Sequence, residues 1–180
     1  MNAATRPAAA RRALVALAAV VALALGAALA WSLRAPSPPP RDASTLLAIA
    51  LPDVDGVSQA LEQWRGKLLV VNFWATWCAP CREEMPMFVK AQREHAGRGV
   101  QFVGIAIDEP GKVRQFAREL DLNYPSLVGG YGAMELSKTL GNSVMALPFT
   151  VVVDRAGRIV HTQLGPLKPA VLDRLVAIDG

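Results

Sequence analysis

The stretch that decides the fold spans residues 68–85 and reads LLVVNFWATWCAPCREEM. Its first seven residues, 68–74, are almost all apolar, which predicts a strand covered on both faces. The only two cysteines of the chain, Cys78 and Cys81, follow directly, and the polar residues after them open a predicted helix that runs to about Ala96. A strand that leads into a Cys-x-x-Cys pair at a helix N-terminus predicts a dithiol/disulfide redox centre.

A static disulfide and one half of a zinc site are the alternative interpretations of this pair. A zinc site needs a second pair of Cys or His ligands at short spacing, whereas His95 and His161 each stand alone in the sequence. The pair and its context therefore favour redox chemistry over metal binding.

The positive charge of the chain lies at its N-terminal end. Residues 1–40 contain four arginines and no acid, whereas residues 41–180 contain 15 Lys and Arg against 15 Asp and Glu. The balanced part shows no basic stripe for nucleic acid, so binding of nucleic acid is not expected. Its roughly 140 residues are enough for one domain with a sizeable core.

An apolar segment without charge runs from Ala13 to Trp31 and consists almost entirely of Ala, Leu and Val. As a helix it would be roughly 28 Å long, which predicts a transmembrane segment within residues 13–33. The arginines before it predict that residues 1–12 stay in the cytoplasm and that the rest is exported. A cleavable signal peptide is the alternative, because Ala28-Leu29-Ala30 fits the small-x-small cleavage pattern.

The remaining chain divides into a linker and one domain. Residues 34–45 are predicted to form a Pro-rich linker, because four of the five residues 36–40 are proline and favour a stiff, extended spacer. Residues 46–180 show apolar patterns that alternate between strand and helix, which predicts an α/β fold with a central mixed β-sheet flanked by helices. The predicted strands are Leu46–Leu51, Leu68–Trp74, Val100–Ile107, Leu127–Val128, Phe149–Val153 and Ile159–Leu164. After the helix at the cysteines, further helices are predicted to open at Asp108-Glu109-Pro110, Ala133 and Pro169.

With these motifs in place, the chain resembles the thioredoxin superfamily, and within it the membrane-anchored, TlpA-like thiol–disulfide reductases, including those that serve cytochrome c maturation. The resemblance is carried by residues 71–86 and by Leu147-Pro148-Phe149-Thr150, and it covers roughly residues 46–178. It implies a thioredoxin-like fold in which the segment of about 108–145 contains an insertion after the third core strand.

The residues around the cysteine pair suggest distinct roles. Cys78 is the expected attacking thiol, because a helix N-terminus stabilises the thiolate, and Cys81 is expected to resolve the mixed disulfide. Glu84 lies three residues after Cys81 on the same helical face, so its carboxylate could exchange a proton with the resolving thiol. The resemblance also implies a functional acid there. The alternative is a surface glutamate, one of an acidic pair with Glu83.

The resemblance implies further roles for residues outside the pair. Pro148 is expected to be a cis proline beside the cysteines, and the backbone of Leu147 is expected to offer strand-like hydrogen bonds to a substrate. Trp77 and Pro80 complete the predicted docking surface. Asn72 occupies the strand position where plain thioredoxin carries a buried acid, and a hydrogen-bonded buried amide is expected there rather than a catalytic group.

The expected function is that of a thiol–disulfide oxidoreductase, tethered to the cytoplasmic membrane, that reduces disulfides of periplasmic proteins. It would need no cofactor or metal besides the Cys78–Cys81 pair, and the family implies a membrane electron donor. Three alternatives stay open. The protein could be a secreted periplasmic form after signal cleavage. It could be a net oxidant or isomerase, because Ala79-Pro80 does not fix the direction of electron flow. It could also be a copper-delivery module using His161.

Overall fold

The apolar N-terminal segment forms one long helix, α1 (Ala8–Leu33), in the computed structural model, which describes residues 8–33 and 41–177. Its 26 residues correspond to about 39 Å of helix. The window Arg11–Ala28 has a mean hydropathy of 1.8 and none of it is buried. Such a helix is compatible with a membrane anchor or a signal segment, as the sequence predicts. Most of the predicted Pro-rich linker lies outside the described residues.

The second unit of the chain is an α/β domain. Its strands are β1 (Arg41–Asp42), β2 (Ala50–Pro52), β3 (Ser58–Ala60), β4 (Leu68–Trp74), β5 (Val100–Ala106), β6 (Ser126–Val128), β7 (Phe149–Val153) and β8 (Arg158–Leu164). Its helices are α2 (Ser44–Leu47), α3 (Ala79–His95), α4 (Pro110–Glu119), α5 (Gly130–Thr139) and α6 (Pro169–Ala177).

Six of these strands form one mixed sheet in the order β1-β8-β7-β4-β5-β6. Strands β4, β5 and β6 are parallel, whereas β7, β8 and β1 are added in antiparallel pairs. Strands β2 and β3 form a separate hairpin, which reaches the sheet through a bridge between Asp53 and Leu127. The structure thus confirms the predicted central mixed sheet, in which β4, β5 and β6 form the parallel half and β7, β8 and β1 the antiparallel half.

Strand β4 lies at the centre of the sheet, and all seven of its residues are buried. Successive side chains point to opposite faces, so β4 contributes to two separate hydrophobic cores. Val70 and Trp74 belong to the core that includes Phe88 of α3, whereas Val71 and Phe73 belong to the core that includes α2 and α5. By the same alternation Asn72 lies on the α3 face, just before the cysteine pair.

One predicted strand is absent from the described residues of the domain, and the predicted insertion region has secondary structure of its own. The predicted strand over Leu46–Leu51 is wrong, because the helical turn α2 and the short strand β2 replace it. A continuous apolar run has no periodicity that separates strand from helix, and here the Asp42 carboxylate accepts the Ser44 N–H (2.9 Å) where the turn begins. The predicted insertion region of about 108–145 forms α4, β6 and α5.

The close approach of α5 to β5 gives a first prediction. A Cβ atom at Gly129 would lie 2.4 Å from the Cβ of Ala133 and 3.0 Å from the Cγ2 of Ile105. Because a methyl group cannot rotate away, Gly129→Ala should shift α5 and lower the free energy of unfolding by about 1–3 kcal/mol in urea titrations. Gly132→Ala is the matched control, because nothing lies within 4 Å of a Cβ there. It should be neutral or stabilising, and equal losses in both variants would contradict the prediction.

Candidate active site

The two cysteines lie where α3 begins. Cys78 occupies the N-cap position and α3 starts at Ala79, with Pro80 in its first turn. The backbone N–H of Cys81 donates to the sulfur of Cys78 (3.3 Å), and Pro80 has no N–H that could compete. The free N–H groups and the positive end of the helix dipole therefore favour a thiolate at Cys78 when the pair is reduced.

The cysteines differ in their access to solvent. In the structure they form a disulfide with a Cα–Cα distance of 5.3 Å. Cys78 keeps 5% of its surface exposed and Cys81 keeps none, so only Cys78 can meet a sulfur of another molecule. The neighbouring Trp77 is 67% exposed, whereas Trp74 is fully buried in the core. Cys78 is therefore the more accessible sulfur, and the roles of attacking and resolving cysteine stay predictions.

Glu84 is a buried carboxylate on the face of α3 that also carries Cys81. Its Oε1 accepts a hydrogen bond from Nδ2 of Asn72 (2.9 Å), and its Oε2 accepts one from the backbone N–H of Leu167 (2.8 Å). The alternative of a surface glutamate is therefore wrong for Glu84, although it describes the exposed Glu83.

The surroundings of Glu84 bring its titration close to neutral pH. Burial raises the pKa of Glu84 to about 7, although the hydrogen bonds from Leu167 and Asn72 each act to lower it. Burial also raises the pKa of Tyr124, and the charge of Glu84 raises it further. Glu84 can thus gain or lose a proton at neutral pH, which a general acid or base must do.

Asn72 connects Glu84 to the neighbouring strand. Asn72 and Thr150 are directly opposite each other on β4 and β7, and Nδ2 of Asn72 also donates to Oγ1 of Thr150 (3.0 Å). The Oδ1 atom of Asn72 is buried and accepts no hydrogen bond from the described residues. The prediction of a hydrogen-bonded buried amide is therefore right for the amide nitrogen and wrong for the oxygen.

The loop before β7 has the predicted proline geometry. The Leu147–Pro148 peptide bond is cis, and Pro148 is buried. Leu147 is half-buried and packs against the hydrophobic cluster that contains both cysteines. The carbonyl of Pro148 accepts the N–H of Gly165 (2.9 Å), which fixes the loop to the end of β8.

A surface cleft of about 630 Å³ opens beside Trp77. It extends past Asp108 and Lys112 at the start of α4 to Tyr131 in the first turn of α5. Asp108 accepts hydrogen bonds from the backbone N–H (3.3 Å) and the hydroxyl of Thr76, so it fixes the loop that leads to the cysteines. The segment between β5 and β7 thus forms one wall of a cleft at the redox pair.

Sequence reasoning missed three contributors to the site. Thr150 was visible as a polar residue in an otherwise apolar strand, next to the proline motif. Tyr124 gave no signal, because its position near Glu84 depends on the path of the chain before β6. Leu167 could not have been found, because it contributes only a backbone N–H.

No group of three or more His, Cys, Asp or Glu side chains that could hold a metal ion occurs within residues 8–33 and 41–177. His161 is half-buried on β8 in a shallow cleft lined by Arg174 and Leu175 of α6. Burial lowers the pKa of His161, and the positive charge of Arg174 lowers it further. His95 lies at the end of α3 beside Arg98.

Comparison with known proteins agrees with this geometry. Residues 41–176 match the family model described as Redoxin. The chain belongs to the Redoxin family. A thiol:disulfide interchange protein of the thioredoxin family from Chlorobium tepidum TLS has a similar structure, with a TM-score of 0.70 and 29% identity. That alignment covers 80% of this chain and 99% of the other.

Two curated relatives extend the comparison of this Redoxin-family chain. The Thioredoxin-like protein YneN of Bacillus subtilis (strain 168) is 32% identical over 134 residues, which are 72% of this chain and 75% of YneN. The thiol-disulfide oxidoreductase ResA of Bacillus thuringiensis subsp. konkukian (strain 97-27) is 32% identical over 61% of each chain. The chain thus spans about three fifths of the length of that ResA protein. With its cysteine pair at a helix N-terminus, it is a thioredoxin-like thiol–disulfide oxidoreductase.

The raised pKa of Glu84 predicts a pH-dependent stability. Between the ordinary value of 4.5 and about 7, the folded carboxyl keeps a proton that the unfolded one has lost, so the wild-type free energy of unfolding falls as the pH rises. Glu84→Gln lacks this effect. Its stability relative to wild type should grow by about 3 kcal/mol across that window in urea titrations of the oxidised protein, whose disulfide does not titrate.

The exposed neighbour Glu83 supplies the control for this measurement. Glu83→Gln removes an exposed carboxyl instead of a buried one, so we expect its free energy of unfolding to depend on pH as that of wild type does. A constant difference for Glu84→Gln as well would show that the carboxyl of Glu84 does not titrate in the predicted window.

Proposed function

We propose that this protein is exported, tethered to the membrane by α1, and reduces disulfides of extracytoplasmic proteins through Cys78 and Cys81. The observation that carries the proposal is the combination of a sulfur at a helix N-terminus with a buried acid three residues after the resolving cysteine. The oxidised pair seen in the structure is then the product of one turnover, and a membrane electron donor would restore the two thiols.

The first step of the proposed reaction uses the thiolate of Cys78. It attacks one sulfur of a substrate disulfide, forms a mixed disulfide with that sulfur, and releases the other substrate sulfur as a thiolate. The N–H of Cys81 that points at the sulfur of Cys78 supports the thiolate before the attack.

The second step uses Cys81 and Glu84. The thiol of Cys81 gives its proton to the carboxylate of Glu84, and the resulting thiolate attacks the sulfur of Cys78. The bond between Cys78 and the substrate breaks, and the second substrate sulfur leaves as a thiolate. Two electrons have then passed from the cysteine pair to the substrate, and Glu84 releases its proton afterwards. A pKa of about 7 suits this cycle, because uptake and release are both possible near neutral pH.

Substrate approach in this proposal uses the exposed side of the pair. Trp77 and Pro80, which flank Cys78 in the sequence, and the backbone of Leu147 would form the docking surface, and the cleft beside Trp77 would offer room for the polypeptide around a substrate cysteine. A polypeptide segment could pair with the backbone before Pro148 in the manner of an added strand.

The location follows from α1 in this proposal. The helix is long and apolar enough to cross a bilayer, and Arg11 and Arg12 lie at its N-terminal end. Residues 1–12 would then stay in the cytoplasm, residues 13–33 would form the anchor, residues 34–45 a spacer, and residues 46–180 the exported domain. The alternative of a cleaved signal would leave the same domain free in the periplasm.

The order of the two cysteines can be tested by trapping. Cys81→Ser should accumulate mixed disulfides with substrate proteins, because a serine hydroxyl cannot resolve the bond between Cys78 and the substrate. Non-reducing gels followed by mass spectrometry would detect these adducts. Cys78→Ser is the matched control and should form none. Adducts on Cys78→Ser but not on Cys81→Ser would reverse the proposed roles.

The direction of electron flow can be tested by the equilibrium redox potential of the pair against a glutathione or dithiothreitol couple. A reductase should lie near the thioredoxin end of the superfamily, at about −270 mV. A value near about −120 mV, the end occupied by strong oxidants, would contradict the reductase and support the net oxidant instead.

A further inference from the structure

Only the nitrogen of the Asn72 side-chain amide makes hydrogen bonds to the described residues. Its Nδ2 donates to Oε1 of Glu84 (2.9 Å) and to Oγ1 of Thr150 (3.0 Å), whereas its Oδ1 is buried and accepts nothing from the described residues. Buried polar atoms are almost always hydrogen-bonded, so the unpaired oxygen requires an explanation. Asn142 shows the usual arrangement, because its nitrogen donates twice and its oxygen accepts the N–H of Ala146 (3.1 Å).

The hydrogen bonds around Glu84 fit only its ionised form. Both carboxylate oxygens face donors, namely Nδ2 of Asn72 and the N–H of Leu167. A protonated carboxyl carries an O–H that needs an acceptor. When Glu84 takes up a proton on Oε1, the O–H and the N–H of Asn72 would therefore point at each other.

A half-turn of the Asn72 amide removes this conflict, at the cost of moving Nδ2 to the place where Oδ1 has no hydrogen-bond partner among the described residues. The rotation exchanges Nδ2 and Oδ1, so the oxygen reaches the place from which it can accept the O–H of Glu84. The hydroxyl of Thr150 can either accept or donate, and it can follow the rotation by donating to the same oxygen. The torsion that turns an asparagine amide is broad and roughly two-fold, so neither orientation requires a forbidden rotamer.

We propose that Asn72 is a positioning residue that offers its N–H to ionised Glu84 and, after rotation, its carbonyl oxygen to protonated Glu84. This inference rests on the proposed role of Glu84 as the proton acceptor for Cys81. In that step the proton leaves the thiol of Cys81, binds Oε1 of Glu84, and is held there by Oδ1 of Asn72. Both states of the acid are then hydrogen-bonded by the same side chain.

The other groups near Glu84 cannot replace Asn72 in this role. The charge of Glu84 acts on Tyr124, but the buried Tyr124 hydroxyl makes no hydrogen bond with Glu84 or with any other described residue. The cysteines do not titrate in the disulfide form. No charged side chain contributes to the pKa of Glu84, which depends on burial, on the N–H of Leu167 and on the Asn72 amide.

The rotation can be observed directly by NMR spectroscopy of the full chain in detergent micelles, with the disulfide intact. The chain contains only four asparagines, so ¹⁵N labelling of asparagine resolves the Asn72 amide, and ¹³C labelling of glutamate reports the proton on Glu84. As the pH falls, we expect the Asn72 amide protons to lose their nuclear Overhauser contacts with the Thr150 side chain, at the same midpoint as the Glu84 carboxyl. Asn142 is the internal control, because its amide is buried and fully paired, and its signals should stay constant.

Two results would overturn the inference. The first is an Asn72 signal that stays constant while Glu84 titrates. The second is an Asn72 signal that titrates equally in Glu84→Gln, where no proton can bind at that position. Because these measurements use the oxidised protein without substrate, their outcome does not depend on reductase activity.

Kinetics then connect the rotation to the proposed function. Thr150→Val removes the hydroxyl that hydrogen-bonds the Asn72 amide in both of its proposed orientations, whereas Thr150→Ser keeps this hydroxyl. We expect Thr150→Val to shift the pH midpoint for release of a disulfide-linked peptide from Cys78 by about one pH unit, and Thr150→Ser to keep the wild-type midpoint. An equal loss of rate at every pH in Thr150→Val would indicate a merely structural role. The Asn72 and Glu84 signals could change together while release of the peptide from Cys78 shows no pH dependence. That result would contradict the proton role of Glu84 and still support the rotation of Asn72.

Discussion

The site depends on one buried carboxyl group, that of Glu84, and on the two N–H groups that hold it. Its partners lie 12 and 83 residues away in the chain, on β4 and just before α6. The same pair of hydrogen bonds therefore ties α3 to the centre of the sheet and to the closing helix. A buried charge is costly, and two N–H donors offset only part of that cost, so the pKa of Glu84 settles at about 7 instead of near its ordinary value. The contact that joins the layers thus also creates a group that titrates at neutral pH.

Much of the fold could be predicted where the pattern of apolar residues fits only one type of secondary structure. The strands over Leu68–Trp74 and Phe149–Val153 are apolar except for one residue each, and the structure gives the same bounds. The run over Leu46–Leu51 is also apolar, yet it forms a helical turn and a short strand, because its conformation depends on contacts with distant parts of the chain. At the site, the cysteines and Glu84 were visible from their spacing on one helix. The contact from the N–H of Leu167 could not be predicted, since almost every residue type has a backbone N–H.

With asparagine at position 72, Glu84 has no second carboxyl group among its hydrogen-bond partners in the described part of the chain. An acid at both 72 and 84 would place two carboxyl groups within hydrogen-bonding distance, and their protons would titrate as a coupled pair with widely separated pKa values. An amide avoids this coupling and still provides both a donor and an acceptor. Glu84 can therefore keep a single titration near neutral pH, while Asn72 and Thr150 connect β4 to β7 through neutral groups.

The segment between β5 and β7 forms one wall of the cleft beside Trp77. Asn72 lies on β4, and the cysteines and Glu84 lie at the N-cap and in the first turns of α3, so the groups proposed for the redox step come from outside that segment. The cleft at Trp77, in contrast, is walled by the starts of α4 and α5, with the exposed Tyr131 at its far end. The cleft reaches Trp77, the residue before Cys78, and Cys78 is the cysteine that keeps some exposed surface. If polypeptide substrates use this cleft, as proposed, changes in α4 and α5 would alter which of them reach the sulfur without changing the groups proposed for proton and electron transfer.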